Sequence, residues 1–211
     1  MAPRPQGQTK AHAGRNFGYD NGMMDRRFFV TQLGAIAASG LAPSLAGAQM
    51  SRVSAYAFSF DGLNGSRINL ADHAGRPILV VNTASHCGYT PQYAGLQKLW
   101  SRYRERGLLV VAVPSNDFGG QEPGGVTEIG KTAQGEYHVS FPIAQKAVVK
   151  GGQAHAFYKW AAQQRPNELP RWNFHKYLIG RDGALKASFG SAVDPLDPAI
   201  IAAIEVELGA A

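Results

Sequence analysis

The chain contains one cysteine, Cys87, in the run Ser85-His86-Cys87-Gly88-Tyr89-Thr90-Pro91. An apolar stretch, Ile78 to Ala84, precedes it, and a helical pattern follows within a few residues. A thiol between a buried strand and a helix N-terminus faces unpaired backbone N–H groups and the positive end of the helix dipole. Both favour the thiolate, which is the nucleophilic form. The alternative for a lone cysteine is an inert thiol in the core. Polar, turn-rich neighbours at the carboxyl end of a central strand, where α/β proteins tend to place their sites, favour the reactive reading.

A single thiol limits the mechanism. No intrachain disulfide, Cys-x-x-Cys exchange or cysteine zinc cluster is available. One thiolate acting alone attacks an electrophile. With a peroxide it takes the distal oxygen and becomes a sulfenic acid, which an external thiol must reduce. That reaction needs hydrogen-bond donors preorganised around the sulfur and the leaving oxygen. Side-chain amides and an indole N–H are neutral donors suited to a desolvated site.

The elements that position Cys87 read as alternating strands and helices. Tyr56 to Phe60 and Arg67 to Leu70 read as strands around a turn at 61–65, and Ile78 to Ala84 as a buried central strand. Thr90 is expected to cap the next helix, with Pro91 at its first position and Gly107 at its end. Leu96, Leu99, Trp100 and Tyr103 mark its buried face, and Leu108 to Val113 forms the next strand. This is a βαβ unit with a right-handed crossover. A glycine-rich loop spans 114–125, and a weak helix is expected over Thr127–Tyr137. A helix carries Ala154, Phe157, Tyr158 and Ala161; strands are expected over Trp172–Ile179 and Leu185–Phe189 around a turn at Arg181-Asp182-Gly183. Asp197 and Pro198 open a final helix running to Leu208.

The 211 residues are 45% hydrophobic and 17% charged, a globular composition that suits one main domain. The net charge of +6 is split. Residues 1–48 carry five basic and two acidic side chains, and residues 49–211 carry 16 and 13, so each part contributes +3. No basic run marks a nucleic-acid surface. Asp25-Arg26-Arg27-Phe28-Phe29 resembles a twin-arginine export signal. The apolar stretch after it is too short to span a bilayer, and Ala46-Gly47-Ala48 suits a signal peptidase. The expected organisation is an N-terminal extension plus signal over 1–48 and a mature domain over 49–211. Its destination is the periplasm or the exterior, without membrane insertion after cleavage. The start is Met1, Met23 or Met24.

Three segments then become recognisable. Val80-Val81-Asn82-Thr83-Ala84-Ser85-His86-Cys87-Gly88-Tyr89-Thr90-Pro91-Gln92-Tyr93 resembles the active-site segment of the glutathione peroxidase family. Asn116-Asp117-Phe118-Gly119-Gly120-Gln121-Glu122-Pro123-Gly124 resembles its second motif, and Trp172-Asn173-Phe174-His175-Lys176-Tyr177-Leu178-Ile179 its third. The resemblance covers residues 55–208. It implies an α/β, thioredoxin-like fold with a central mixed sheet flanked by helices. It also implies a catalytic tetrad: Cys87 as peroxidatic nucleophile, Gln121 and Trp172 as donors, and Asn173 as a fourth donor or proton relay. No cofactor and no metal are implied.

Each residue has a plainer reading. Gln121 can serve loop backbone groups, Trp172 the core, and Asn173 a strand edge. His86 and His175 read as solvent-facing histidines rather than partners of the thiolate. The sequence departs from many cysteine-type members, which carry a resolving cysteine near the position of Ala133. Here the sulfenic acid requires an external reductant, glutathione or a thioredoxin-like protein. Arg102, Lys131 and Arg171 are basic residues able to meet glutathione carboxylates. The competing reading is a non-catalytic redox sensor or binding module that uses the lone thiol to pair with a partner.

Overall fold

The computed structural model describes residues 53–209, so the expected leader lies outside the described residues. A four-stranded mixed sheet has the order β4-β3-β5-β6. Strands β3 (Ile78–Thr83) and β4 (Leu109–Pro114) are parallel. Strand β5 (Lys176–Ile179) pairs antiparallel with β3 and with β6 (Leu185–Phe189). A separate hairpin is formed by β1 (Ser59–Asp61) and β2 (Arg67–Asn69).

All residues of β3, β4 and β5 are buried, because helices cover both faces. Leu79, Val81, Val110, Ala112 and Leu178 face one core, with Tyr93, Leu96 and Leu99 of α1 (Gln92–Tyr103) and Ile200 and Ile204 of α4 (Pro198–Leu208). Ile129 of α2 (Val126–Gly130) joins this side. Ile78, Val80, Val111, Tyr177 and Ile179 face the other core, against Phe157, Trp160 and Ala161 of α3 (Ala156–Gln164). This period-two alternation sends neighbouring residues of one strand into different cores.

The sequence reading of the central elements holds, and four local expectations fail. Ala55–Ala57 is a 3-10 turn, so the first strand starts only at Ser59. Helix α2 stops at Gly130 and continues as a π-helical turn, Lys131–Glu136. Thr90 does not cap α1; Pro91 occupies the cap position, and the Thr90 hydroxyl is used inside the preceding turn. The expected strand from Trp172 begins only at Lys176, because Phe174 adopts a left-handed φ of 64° and residues 172–175 form a turn.

Candidate active site

Strand β3 delivers the chain into a short turn carrying Cys87. The Thr90 hydroxyl accepts the Cys87 N–H at 3.0 Å and donates to the Ala84 carbonyl at 2.9 Å. Thr90 N–H in turn donates to the Cys87 carbonyl. One side chain therefore fixes both ends of the turn. The sulfur accepts the Tyr89 backbone N–H at 3.4 Å. Cys87 is only 6% exposed and packs beside Ala84 and Tyr93, at the edge of a polar surface formed by exposed Gly88 and Tyr89.

The loop after β4 closes over this turn. The His86 N–H donates to the Gln121 carbonyl at 3.0 Å. Ser85 Oγ donates to Glu122 Oε2 at 3.1 Å, and Glu122 N–H donates to Asn116 Oδ1 at 2.9 Å. Gly119 and Gly120 both take left-handed φ values, 66° and 65°. A Cβ on Gly119 would also lie 3.3 Å from Trp172 Cη2, so this position needs glycine for conformation and for space.

The third segment is held by Asn82, a fully buried residue of β3. Its Nδ2 donates to the Trp172 carbonyl at 3.1 Å, its carbonyl accepts the Phe174 N–H, and its N–H donates to the His175 carbonyl at 3.2 Å. Forcing phenylalanine into the left-handed region costs roughly 1–2 kcal/mol. Burial of the Phe174 ring, edge-on to Tyr93 at 5.3 Å, offsets that strain. Asn173 is fully buried and its Nδ2 donates to Gln121 Oε1 at 3.0 Å. Trp172 is 39% exposed and tilts over Phe118, 6.1 Å between ring centroids.

Gln121, Trp172 and Asn173 are thus brought together with the Cys87 turn. The plainer readings of two fail: Trp172 is not core, and Asn173 lies in a buried turn rather than on a strand edge. Gln121 spends its side-chain oxygen on Asn173 rather than on loop backbone. Among the described residues, neither the Gln121 amide nor the Trp172 indole hydrogen-bonds the sulfur directly; Tyr89 N–H does.

The histidines divide. His86 is exposed and pairs with Glu128 Oε1 at 3.0 Å, as a surface residue would. His175 is buried, which corrects its reading as solvent-facing. Its Nε2 meets Ser188 Oγ at 2.9 Å. Burial, and then the charge of Lys176, lowers its pKa to about 4, so it is neutral near pH 7.

Sequence reasoning missed four positioning residues: Asn82, Thr90, Glu122 and Lys176. Lys176 is fully buried, and its Nζ donates to Gln92 Oε1 at 2.7 Å, Phe174 O at 2.8 Å and Val193 O at 2.7 Å. It ties the Trp172–His175 turn to α1 and to the segment before α4. A lone lysine inside an otherwise apolar strand was the available signal. Glu122 is also fully buried, and burial raises its pKa. Its signal was its place between Gln121 and Pro123 in the second motif.

The chain is similar to known proteins. The family model described as glutathione peroxidase matches residues 55–162. The chain is 40% identical over 143 residues to the glutathione peroxidase-like peroxiredoxin GPX5 of Chlamydomonas reinhardtii, covering 66% of this chain and 88% of that one. It is 42% identical over 149 residues to the hydroperoxy fatty acid reductase gpx1 of Synechocystis, with the same coverage, 66% and 88%. The crystal structure of T. cruzi GPX1 superposes with a TM-score of 0.60 at 29% identity, covering 74% of this chain and 97% of that one. The mixed sheet with helices on both faces is the thioredoxin-like arrangement expected from the motifs. The chain therefore belongs to the glutathione peroxidase family, whose chemistry is the thiol-dependent reduction of peroxides.

Proposed function

We propose that Cys87 is the peroxidatic nucleophile, with Gln121, Trp172 and Asn173 as the donors that serve it. The observation that carries this reading is the pair of hydrogen bonds at Gln121. Its carbonyl holds His86, next to Cys87, and its side-chain oxygen is held by Asn173, next to Trp172. Three segments distant in sequence are clamped at one residue. With its oxygen engaged, the Gln121 amide presents N–H donors to the substrate, and the exposed Trp172 indole adds another.

The cycle balances with one cysteine. The Cys87 thiolate attacks the distal peroxide oxygen and the O–O bond breaks. The alkoxide or hydroxide leaves as alcohol or water after taking a proton, and Cys87 becomes a sulfenic acid. An external thiol condenses with it, releasing water and forming a mixed disulfide. A second thiol attacks the external sulfur of that disulfide and releases the Cys87 thiol. No resolving cysteine exists anywhere in the chain, and Ala133 is buried where many relatives place one. The reductant is therefore intermolecular, glutathione or a thioredoxin-like protein.

Organic hydroperoxides are the favoured substrates, with hydrogen peroxide also accepted. A groove of about 740 Å³ is lined by Val149, Ala154, Tyr158, Leu169 and Pro170 together with Lys150, Lys159 and Arg171. Lys150 lies over the Phe118 ring at 4.8 Å, and Phe118 packs on Trp172, so the groove borders the site. The relative named a hydroperoxy fatty acid reductase supports the same choice. Arg26-Arg27-Phe28 and Ala46-Gly47-Ala48 support export of a domain over 49–211 to the periplasm or exterior.

Peroxide consumption with a panel of thiol donors tests the reading. Wild type turns over; Cys87→Ser does not. Full turnover by Cys87→Ser defeats the peroxidase assignment, and slow single-turnover oxidation of wild type with every donor favours the sensor.

A further inference from the structure

Six buried side-chain oxygens have no hydrogen-bond partner among the described residues. All but that of Tyr158 belong to residues at or beneath the site: Asn82, Thr83, Tyr93, Glu122 and Asn173. Folded proteins leave few such groups, and a cluster under one site calls for an explanation. Glu122 is the ionisable acid among them. Its Oε2 accepts from Ser85, and its Oε1 is unpartnered.

The charged and titratable groups facing Glu122 do not neutralise it. His86, on the Cys87 turn, directs Nε2 to Glu128 of α2. Lys146 uses its ammonium on the carbonyls of Glu122, Pro123 and Gly124 at 2.8–3.3 Å, not on the carboxylate. Tyr93 of α1 is a fully buried phenol that burial holds in its neutral form. A buried carboxylate without an ion-pair partner is strongly penalised, and the group takes a proton instead. Burial therefore favours the carboxylic acid over the anion at this position.

We propose that Glu122 is a positioning residue of the peroxide site: as a neutral acid it holds Ser85 on the Cys87 turn and keeps Gln121 in register with the sulfur, and its ionisation releases that hold. The inference rests on Cys87 being the peroxidatic residue. Two hydrogen bonds join the two loops at this point, Ser85 to Glu122 and His86 to Gln121. A charge on Glu122 draws the carboxyl toward water, pulls on Gln121 through the adjoining peptide, and places an anion beside the turn that must carry the thiolate.

The experiment is the single-turnover rate of Cys87 oxidation by hydrogen peroxide, followed from neutral to alkaline pH. Wild type loses rate at alkaline pH as Glu122 ionises. Glu122→Gln, which is neutral at every pH, keeps its rate there. Glu122→Ala is slowed about tenfold or more at neutral pH, equivalent to a barrier higher by about 1.4 kcal/mol, and the gap to wild type closes at alkaline pH. Ser85→Ala, on the half-buried side of the contact, is slowed in the same direction and decides the matter if Glu122→Ala does not fold. Infrared difference spectra give a reading independent of rate: a protonated-carboxyl band at neutral pH, lost in Glu122→Gln. Absence of that band overturns the proposal. So does Ser85→Ala or a folded Glu122→Ala reacting at wild-type speed at neutral pH, or Glu122→Gln sharing the wild-type alkaline decline. A wild-type Cys87 inert to peroxide defeats the peroxidase reading itself. Normal wild-type oxidation with unaltered variants defeats only the role of Glu122.

Discussion

Lys176 and Glu122 are both fully buried ionisable residues beside the site, and the fold treats them in opposite ways. Lys176 places all three ammonium hydrogens on acceptors from three different segments. Burial lowers its pKa to about 8, which leaves it mainly charged at neutral pH. Glu122 has one hydroxyl donor and an unpartnered oxygen, and burial pushes it toward the neutral form. The Lys176 side is a strut that sets where the Trp172–His175 turn sits. The Glu122 side is a sparsely bonded seam whose integrity depends on a proton. A buried ionisable group, then, is read by its partners rather than by its burial.

The largest expected effect breaks the strut. Lys176→Met leaves the Phe174 and Val193 carbonyls and the Gln92 oxygen without their donor. We expect a loss on the order of 3 kcal/mol or more in denaturant unfolding, since three neutral acceptors lose their donor at about 1–3 kcal/mol each. A loss below about 1 kcal/mol, the ordinary value of one hydrogen bond, would remove the contrast with Glu122.

His175 sharpens the comparison from the same side. Its pKa is lowered from 6.5 to about 4, so the unfolded chain binds the extra proton in that interval. Its contribution is intact above pH 6.5 and is lost as pH falls toward 4, by about 3 kcal/mol at most. Unfolding midpoints of His175→Gln should fall less than those of wild type between neutral and acid pH. Equal acid sensitivity in the two proteins contradicts the assigned neutral state.

Glu122 gives an effect of the opposite sign. A carboxyl whose pKa is raised in the folded chain binds its proton there more tightly than in the unfolded chain. Stability therefore falls as pH rises above the ordinary carboxylate value of 4.5. Glu122→Gln lacks that penalty. It should exceed wild type in stability at neutral pH and match it more closely in acid. A variant less stable than wild type at neutral pH would mean that the carboxylate is welcome there.

Much of this architecture is legible in the sequence. The apolar runs of β3 and β4 and the spacing of Leu96, Leu99 and Tyr103 specify the βαβ unit. Asp197 and Pro198 open α4 as expected, Asp197 Oδ1 accepting the Ala199 N–H at 2.8 Å. The motifs mark Cys87, Gln121, Trp172 and Asn173 as candidates, and the segments that carry them meet in the fold. The 172–175 turn is not legible there, because no local pattern announces a phenylalanine at φ 64°; hydrogen bonds with the distant Asn82, and one from Lys176 to the Phe174 carbonyl, hold it. The burial of His175, Lys176 and Glu122 was equally hidden. It depends on acceptors and donors supplied by segments far along the chain, and composition carries no trace of them.

The central claim is that the three motif segments converge to make one sulfur reactive. The most direct measurement is the second-order rate of Cys87 oxidation by hydrogen peroxide, with the product identified by mass spectrometry, in wild type and Gln121→Ala. The account predicts one sulfenic acid per chain from one equivalent of peroxide, formed about 100-fold more slowly once the Gln121 donor is removed. An unmodified Cys87 after that treatment, or equal rates in the two proteins, contradicts it.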